Sequence, residues 1–208
     1  MEFLLGSRYC ETDRLSDAAW SMFGWTQPGW ARVQAICDFV HDHITFDYQF
    51  ARSTRTAWEA FEDRMGVCRD FAHLAVTLCR CMNIPARYCT GYLGDIGVPP
   101  SNDPMDFSAW FEAYLGGKWY TFDARHNRPR IGRVLLARGR DATDVAISTS
   151  FGSARLSRFT VVTEKVFHGG DAIWRRPGLT MGQFGLAGFL PVGDSLSGQR
   201  LTATQATG

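Results

Sequence analysis

The sequence predicts an α+β fold. Apolar residues recur at three- and four-residue spacing over residues 28–44 and 67–82, the period of two helices that each bury one face. Residues 107–115 and 118–124 read as the two arms of an antiparallel hairpin, with Gly116-Gly117 as a two-residue turn. Of 208 residues, 45% are hydrophobic and 13% aromatic, enough to bury the core of one domain with appendages.

Residues 1–27 hold turn formers and scattered aromatics without a strong period. A helix is predicted to start at Pro28, a favoured first-turn residue, with Trp30, Val33, Ile36, Cys37, Val40 and Ile44 as its apolar stripe. Residues 45–54 read as loop, and Trp58 and Phe61 anchor a short helix over 56–63. After Gly66 a helix over 67–82 buries Val67, Phe71, Leu74, Leu78 and Cys81, and Asn83 and Pro85 stop it. Residues 86–92 read as a strand, and 94–104 as a loop rich in Gly and Pro. Beyond the hairpin come a basic loop over 125–132, a helix or strand within 133–147, and a strand over 158–166. From about residue 169 the chain is rich in Gly, Ser, Thr and Gln and reads as a loose tail.

Lys plus Arg number 22 against 21 for Asp plus Glu, a net charge of +1, which argues against a nucleic-acid or polybasic membrane partner. No apolar run approaches the ~20 residues of a membrane span. The first ten residues lack the basic region of a signal peptide, so reduced thiols and a cytoplasmic location are expected. The six cysteines form no Cys-x-x-Cys pair. Cys79 and Cys81 lie about 200° apart on a helix and cannot chelate one metal together. Most of the cysteines read as small buried apolar residues.

Cys68 is the exception. It sits in the first turn of its helix, where unpaired backbone N–H groups and the positive end of the helix dipole favour a thiolate. Asp70 nearby works slightly against this. Counted outward from the turn, the hairpin pairs Trp110 with Asp123 and Ser108 with Arg125. Ser108, Trp110, Thr121 and Asp123 then share one face. A long side chain at 108 would reach the Asp123 carboxylate across a diagonal of ~7–8 Å, the geometry of a base and its orienting acid.

Gly66-Val-Cys-Arg-Asp-Phe-Ala72, Asn83-Ile-Pro-Ala-Arg-Tyr88 with Gly91-Tyr92, Ser-Ala-Trp-Phe-Glu112 and Trp119-Tyr-Thr-Phe-Asp123 occur in an order that resembles the transglutaminase-like core. Gly139-Arg-Asp-Ala-Thr-Asp-Val145 resembles a stretch of its bacterial branch of candidate cysteine proteases. The resemblance implies a papain-like core over residues 28–166, with a nucleophile helix packed on an antiparallel β-sheet. Residues 1–27 would then be an N-terminal segment, a candidate remnant of the β domain that often precedes this core, and 167–208 a tail. It also implies a Cys-His-Asp triad in which Cys68 matches the nucleophile and Asp123 the acid. The family usually reads His-Ala-Trp where this chain has Ser108-Ala109-Trp110. Serine is no base near neutral pH, and it is too short to bridge Cys68 and Asp123.

Three readings follow: a weakened or lost site, a substitute base, or different cysteine chemistry. The best substitute by sequence is His126. It lies on the required side only if the strand ends near Ala124 and the chain turns back; otherwise it is a loop histidine without a catalytic role. His41 and His43 read as solvated helix-end residues, and His73 lies about 140° from Cys68 round the helix, so neither a metal nor a cofactor is inferred. Arg125 heads a basic stretch that is either a solvated surface or a clamp for a substrate carboxylate. Trp110 is expected as core or as a wall of the site.

The implied activity is that of a cysteine hydrolase or acyltransferase acting on an amide bond, of peptide or glutamine type, through a Cys68 thioester. The alternative is a non-catalytic module binding a peptide or protein partner on the same fold.

Overall fold

The computed structural model of this chain describes residues 1–99, 107–146, 151–153, 158–165 and 199–206. Four helices, α1 (Thr12–Phe23), α2 (Trp30–His43), α3 (Ala57–Asp63) and α4 (Cys68–Cys81), precede the main strands. Two short segments between the helices, β1 (Thr45–Phe46) and β2 (Met65–Gly66), pair in parallel. Strands β3 (Ala86–Leu93), β4 (Phe107–Leu115), β5 (Lys118–Phe122) and β6 (Arg133–Gly139) form an antiparallel sheet in the order β5-β4-β3-β6. A separate antiparallel pair joins β7 (Arg158–Lys165) to β8 (Gln199–Ala206).

Helix α4 is the centre of the molecule. It lies against β3 and β4 and is flanked by α1, α2 and α3. Phe71, Leu74, Ala75 and Leu78 of α4 are buried with Phe111, Ala113 and Phe122 of the sheet and with Val33, Ile36 and Val40 of α2. Fully burying one such side chain contributes roughly 1.5–3 kcal/mol. The orientation of α4, and with it Cys68, is thus fixed by apolar packing. The hairpin has the predicted register from Leu115 opposite Lys118 to Phe111 opposite Phe122, but the expected pairs of Trp110 with Asp123 and Ser108 with Arg125 do not form, because β5 ends at Phe122. Gly116 and Gly117 have φ of 55° and 90°, the left-handed pair that this tight turn demands.

The α+β class and the nucleophile helix on an antiparallel sheet stand as expected, while three local readings need correction. Residues 1–27 contain α1, whose Leu15, Ala19 and Phe23 are buried in the same core as α4. The stripe is weak in the sequence because one of its three members is a small alanine and Trp20, beside it, is 49% exposed. The expected loop over 45–54 holds β1 and a 3₁₀ turn at Tyr48–Phe50. The first predicted helix begins at Trp30 rather than Pro28, because Gly29 has φ of 92° and cannot continue a helix. Of the expected tail, the structure describes only β8; the rest, like the loop over 100–106, lies outside the described residues.

Candidate active site

Cys68 is the first residue of α4. Ahead of it, the Val67 N–H donates to Asp70 Oδ2 at 2.9 Å, so Asp70 caps the helix start. Gly66 is required there: a Cβ at 66 would lie 2.6 Å from Asp70 Oδ2. Asp70 is also paired with Arg55 at 3.4 Å and Arg69 at 3.5 Å. Its charge is therefore compensated rather than turned on the neighbouring thiol.

Cys68 is half-buried, whereas the other five cysteines are buried. Burial pushes the Cys10 thiol up to about 11 and the Cys89 thiol up to about 12, and raises Cys37, Cys79 and Cys81 as well. Those five are inert packing residues. Cys68 Sγ lies 3.8 Å from the Phe107 carbonyl oxygen at the start of β4. It packs with Ala72, Tyr88, Ala109 and Val145, the last from the 3₁₀ turn Ala142–Val145 of the Gly-Arg-Asp stretch.

Strand β5 ends at Phe122 and the chain turns at once through residues 124–126. Asp123 makes the turn. Its Oδ1 accepts the His126 N–H at 3.1 Å, and its carbonyl accepts the Asn127 N–H at 2.8 Å. This local folding brings the imidazole back, so that His126 Nδ1 lies 2.8 Å from Asp123 Oδ2. Arg133 NH2, from the first residue of β6, donates to the same oxygen at 2.8 Å. Burial opposes ionisation of Asp123. The hydrogen bond with His126 and the charge of Arg133 outweigh it and hold the carboxyl well below the usual carboxylate range.

The turn is tied to α2 and to Phe46 of β1. His41 Nδ1 of α2 lies 3.2 Å from the Ala124 carbonyl and 2.9 Å from that of Arg125. The Arg125 guanidinium sits 3.6 Å above the Phe46 ring, and Phe46 is the β partner of Gly66, two residues before Cys68. His41 is therefore no idle helix-end residue. Nor does Arg125 stand free as a clamp, since its charge is laid on an aromatic face.

Ser108 is buried on β4, and its Oγ has no hydrogen-bond partner among the described residues. The Asp123 carboxylate belongs to His126 and Arg133 instead. Trp110 is only 2% exposed and carries the Arg133 guanidinium 5.1 Å above its ring. It supports Arg133 and offers no open wall. The basic stretch divides in the same way. Arg138 is taken by Glu112 at 2.9 Å and Arg140 by Asp144 at 2.9 Å.

Arg133 belongs to the basic stretch, but nothing in the sequence pairs it with Asp123, because β6 is separated from β5 by two strands. The hydrogen bond from His126 to Asp123 did have a signal, an Asp three residues before a His at the end of a strand. No group of three or more His, Cys, Asp or Glu among the described residues is placed to hold a metal ion. No helix among them is long and apolar enough to cross a membrane.

A protein from Cytophaga hutchinsonii, described as a candidate cysteine protease, has a crystal structure similar to this one. The TM-score is 0.66 with 42% identity, covering 73% of this chain and 50% of that one. The periplasmic domain of TgpA from Pseudomonas aeruginosa gives a TM-score of 0.45 with 22% identity, over 60% of this chain and 47% of that domain. An uncharacterized protein of Mycobacterium leprae is 37% identical over 92 residues, which are 42% of this chain and 32% of that protein. This chain thus spans about a third to a half of the length of these relatives. Residues 18–124, from α1 through the turn residue after Asp123, match the Transglutaminase-like superfamily, and the chain belongs to that family.

Proposed function

We propose that this chain is the core of a cysteine hydrolase or acyltransferase acting on amide bonds of a peptide or protein, with peptidase- or amidase-like outcome. The observation that carries this reading is the 2.8 Å contact between His126 Nδ1 and Asp123 Oδ2. With Nδ1–H donated to the carboxylate, a neutral imidazole is held in the tautomer whose Nε2 accepts a proton. His126 then takes the role that the family gives to the residue at position 108.

In this mechanism the Cys68 thiol gives its proton to His126 Nε2, and the thiolate attacks the amide carbonyl carbon. Backbone N–H groups in the first turn of α4 stabilise the oxyanion. The C–N bond breaks as the imidazolium returns the proton to the leaving nitrogen, and a thioester on Cys68 remains. Water or an amine attacks the thioester, loses its proton to His126, and releases the thiol. Asp123, held ionised, stabilises the imidazolium that forms in each half. The six cysteines, all free, fit a reducing compartment such as the cytoplasm.

A second reading, a peptide-binding module without catalysis, draws on the buried, unpaired hydroxyl of Ser108 in the slot where the family usually places histidine. Alkylation by iodoacetamide, followed by mass spectrometry against pH, separates the two. Under the catalytic reading Cys68 reacts fastest of the six thiols, with a midpoint below the ~8.5 of a free thiol. The His126→Ala chain then titrates higher and turns over amides about 10²–10⁴-fold more slowly. Identical titration of both chains near ~8.5 would leave the binding module as the better account.

A further inference from the structure

Asp123 also lines a cavity of about 340 Å³ that the chemistry above does not use. One side is aromatic: the Trp30 and Phe122 rings meet there with centroids 4.7 Å apart. Arg128, Arg130 and Arg133 line it as well.

Two of these arginines have buried donors to spare. The Arg130 side chain is only 5% exposed; its Nη2 donates to the Gly94 carbonyl and Asp95 Oδ1, each at 3.1 Å, while Nε is buried without a hydrogen-bond partner among the described residues. Arg133 Nη2 holds Asp123, while Nη1 is buried without a hydrogen-bond partner among the described residues. The planar fork of each guanidinium suits a carboxylate.

The charge balance narrows the ligand further. Of the three arginines, Arg130 is paired with Asp95 and Arg133 with Asp123, which leaves one positive charge in excess, that of Arg128. The nearby Asp38 accepts at Oδ1 from the neutral side-chain amides of Gln34 and Asn127, each at 2.8 Å. A singly charged carboxylate balances that excess, whereas a doubly charged phosphate overshoots it. The Trp30–Phe122 side suits the hydrocarbon stem that carries the carboxylate.

We propose that this cavity binds a carboxylate of the substrate, either an acidic side chain or a peptide's terminal carboxylate, next to the amide bond that Cys68 attacks. The place beside the reacting bond rests on the function proposed above; the carboxylate binding does not.

Calorimetric titration of the Cys68→Ala chain tests the binding without turnover. The probes are N-acetylglutamate α-amide (side-chain carboxylate only), N-acetylglutamine (terminal carboxylate only), N-acetylglutamine amide (neither) and inorganic phosphate. At least one carboxylate probe is expected to bind about tenfold or more tightly than the neutral one, the equivalent of one charge-assisted hydrogen bond. Which probe wins identifies the source of the carboxylate, and phosphate binds more weakly than that probe. Arg130→Gln is expected to abolish the preference. Arg128 is exposed, so Arg128→Gln keeps the fold and still lowers carboxylate affinity about fivefold to tenfold.

Equal binding of charged and neutral probes, tightest binding by phosphate, or an Arg128→Gln chain that binds like its parent would each overturn the proposal. Wild-type turnover of neutral and acidic peptides at equal rates, with no carboxylate preference in the titrations, removes this inference and leaves the proposed function. A clear carboxylate preference with no wild-type turnover does the reverse.

Discussion

On the face covered by α4, the sheet presents Tyr88, Ala109, Phe111, Ala113 and Phe122, all buried among apolar neighbours. On the opposite face the same strands present Arg87 and Glu112, with Arg138 beside them and Trp110 beneath the Arg133 that holds Asp123. The alternation of side chains along each strand makes this division possible. The two faces do different work for the site. Packing on the first sets where the Cys68 helix lies, and charge pairing at the end of the second sets where the His126 turn lies. Packing is lost all at once when a large side chain is removed, whereas a charge network loosens one bond at a time.

The largest expected effect is therefore on the packed face. Phe111 is fully buried against α4. Phe111→Ala should cost about 3–5 kcal/mol, read from the midpoint of urea unfolding. A loss of less than about 1 kcal/mol would mean that the core closes over the gap. The charged face should give less. Glu112 binds Arg87 at 2.6 Å and Arg138 at 2.9 Å, but the arginine side chains are 18% and 43% exposed. Breaking a fully buried pair costs about 3–5 kcal/mol, and solvent reduces this here, so Glu112→Gln should cost about 1–2 kcal/mol. The rate of Cys68 alkylation should be unchanged in that variant. A slower rate would show that the charged face also sets the nucleophile.

The same contrast explains what could be read from the chain. The packed face was legible, because Phe71, Leu74 and Leu78 recur at helical spacing and the Gly-Gly turn fixes the hairpin register. Such patterns are local, and hydrophobic burial follows them directly. The charged face was not, because its partners come from distant positions. Arg133 meets Asp123 from across the sheet, and His41 reaches the 124–125 carbonyls from α2. The sequence offered six arginines between 125 and 140 without saying which were engaged. His126 fell between the two cases. Its position depended on where β5 stops, and Asp123 stops it by capping the turn with its own side chain.

Acid should separate the faces. His73 lies on the α4 side, fully buried between Tyr9 and Tyr88 with ring centroids 5.2 and 4.8 Å away, and its Nε2 accepts the Ala142 N–H at 3.1 Å. Burial, aided by the charges of Arg69 and Arg80 and opposed by that of Asp141, pushes its pKa down to about 3. The unfolded chain takes up this proton near ~6.5, so below that pH the unfolded state binds one proton more and stability falls by up to about 1.4 kcal/mol per pH unit. Glu112 and Asp123 on the other face are depressed carboxylates, whose contribution stays intact until the pH drops through ~4 and is then lost as they protonate. Between about pH 6.5 and 4.5, the decline should therefore belong to the α4 side. His73→Gln keeps an acceptor for the Ala142 N–H while removing the titration. Urea midpoints across that window should fall in the parent chain and stay nearly level in the variant, even if the variant starts lower. A parallel fall in both would place the acid-sensitive group elsewhere and take His73 out of the comparison.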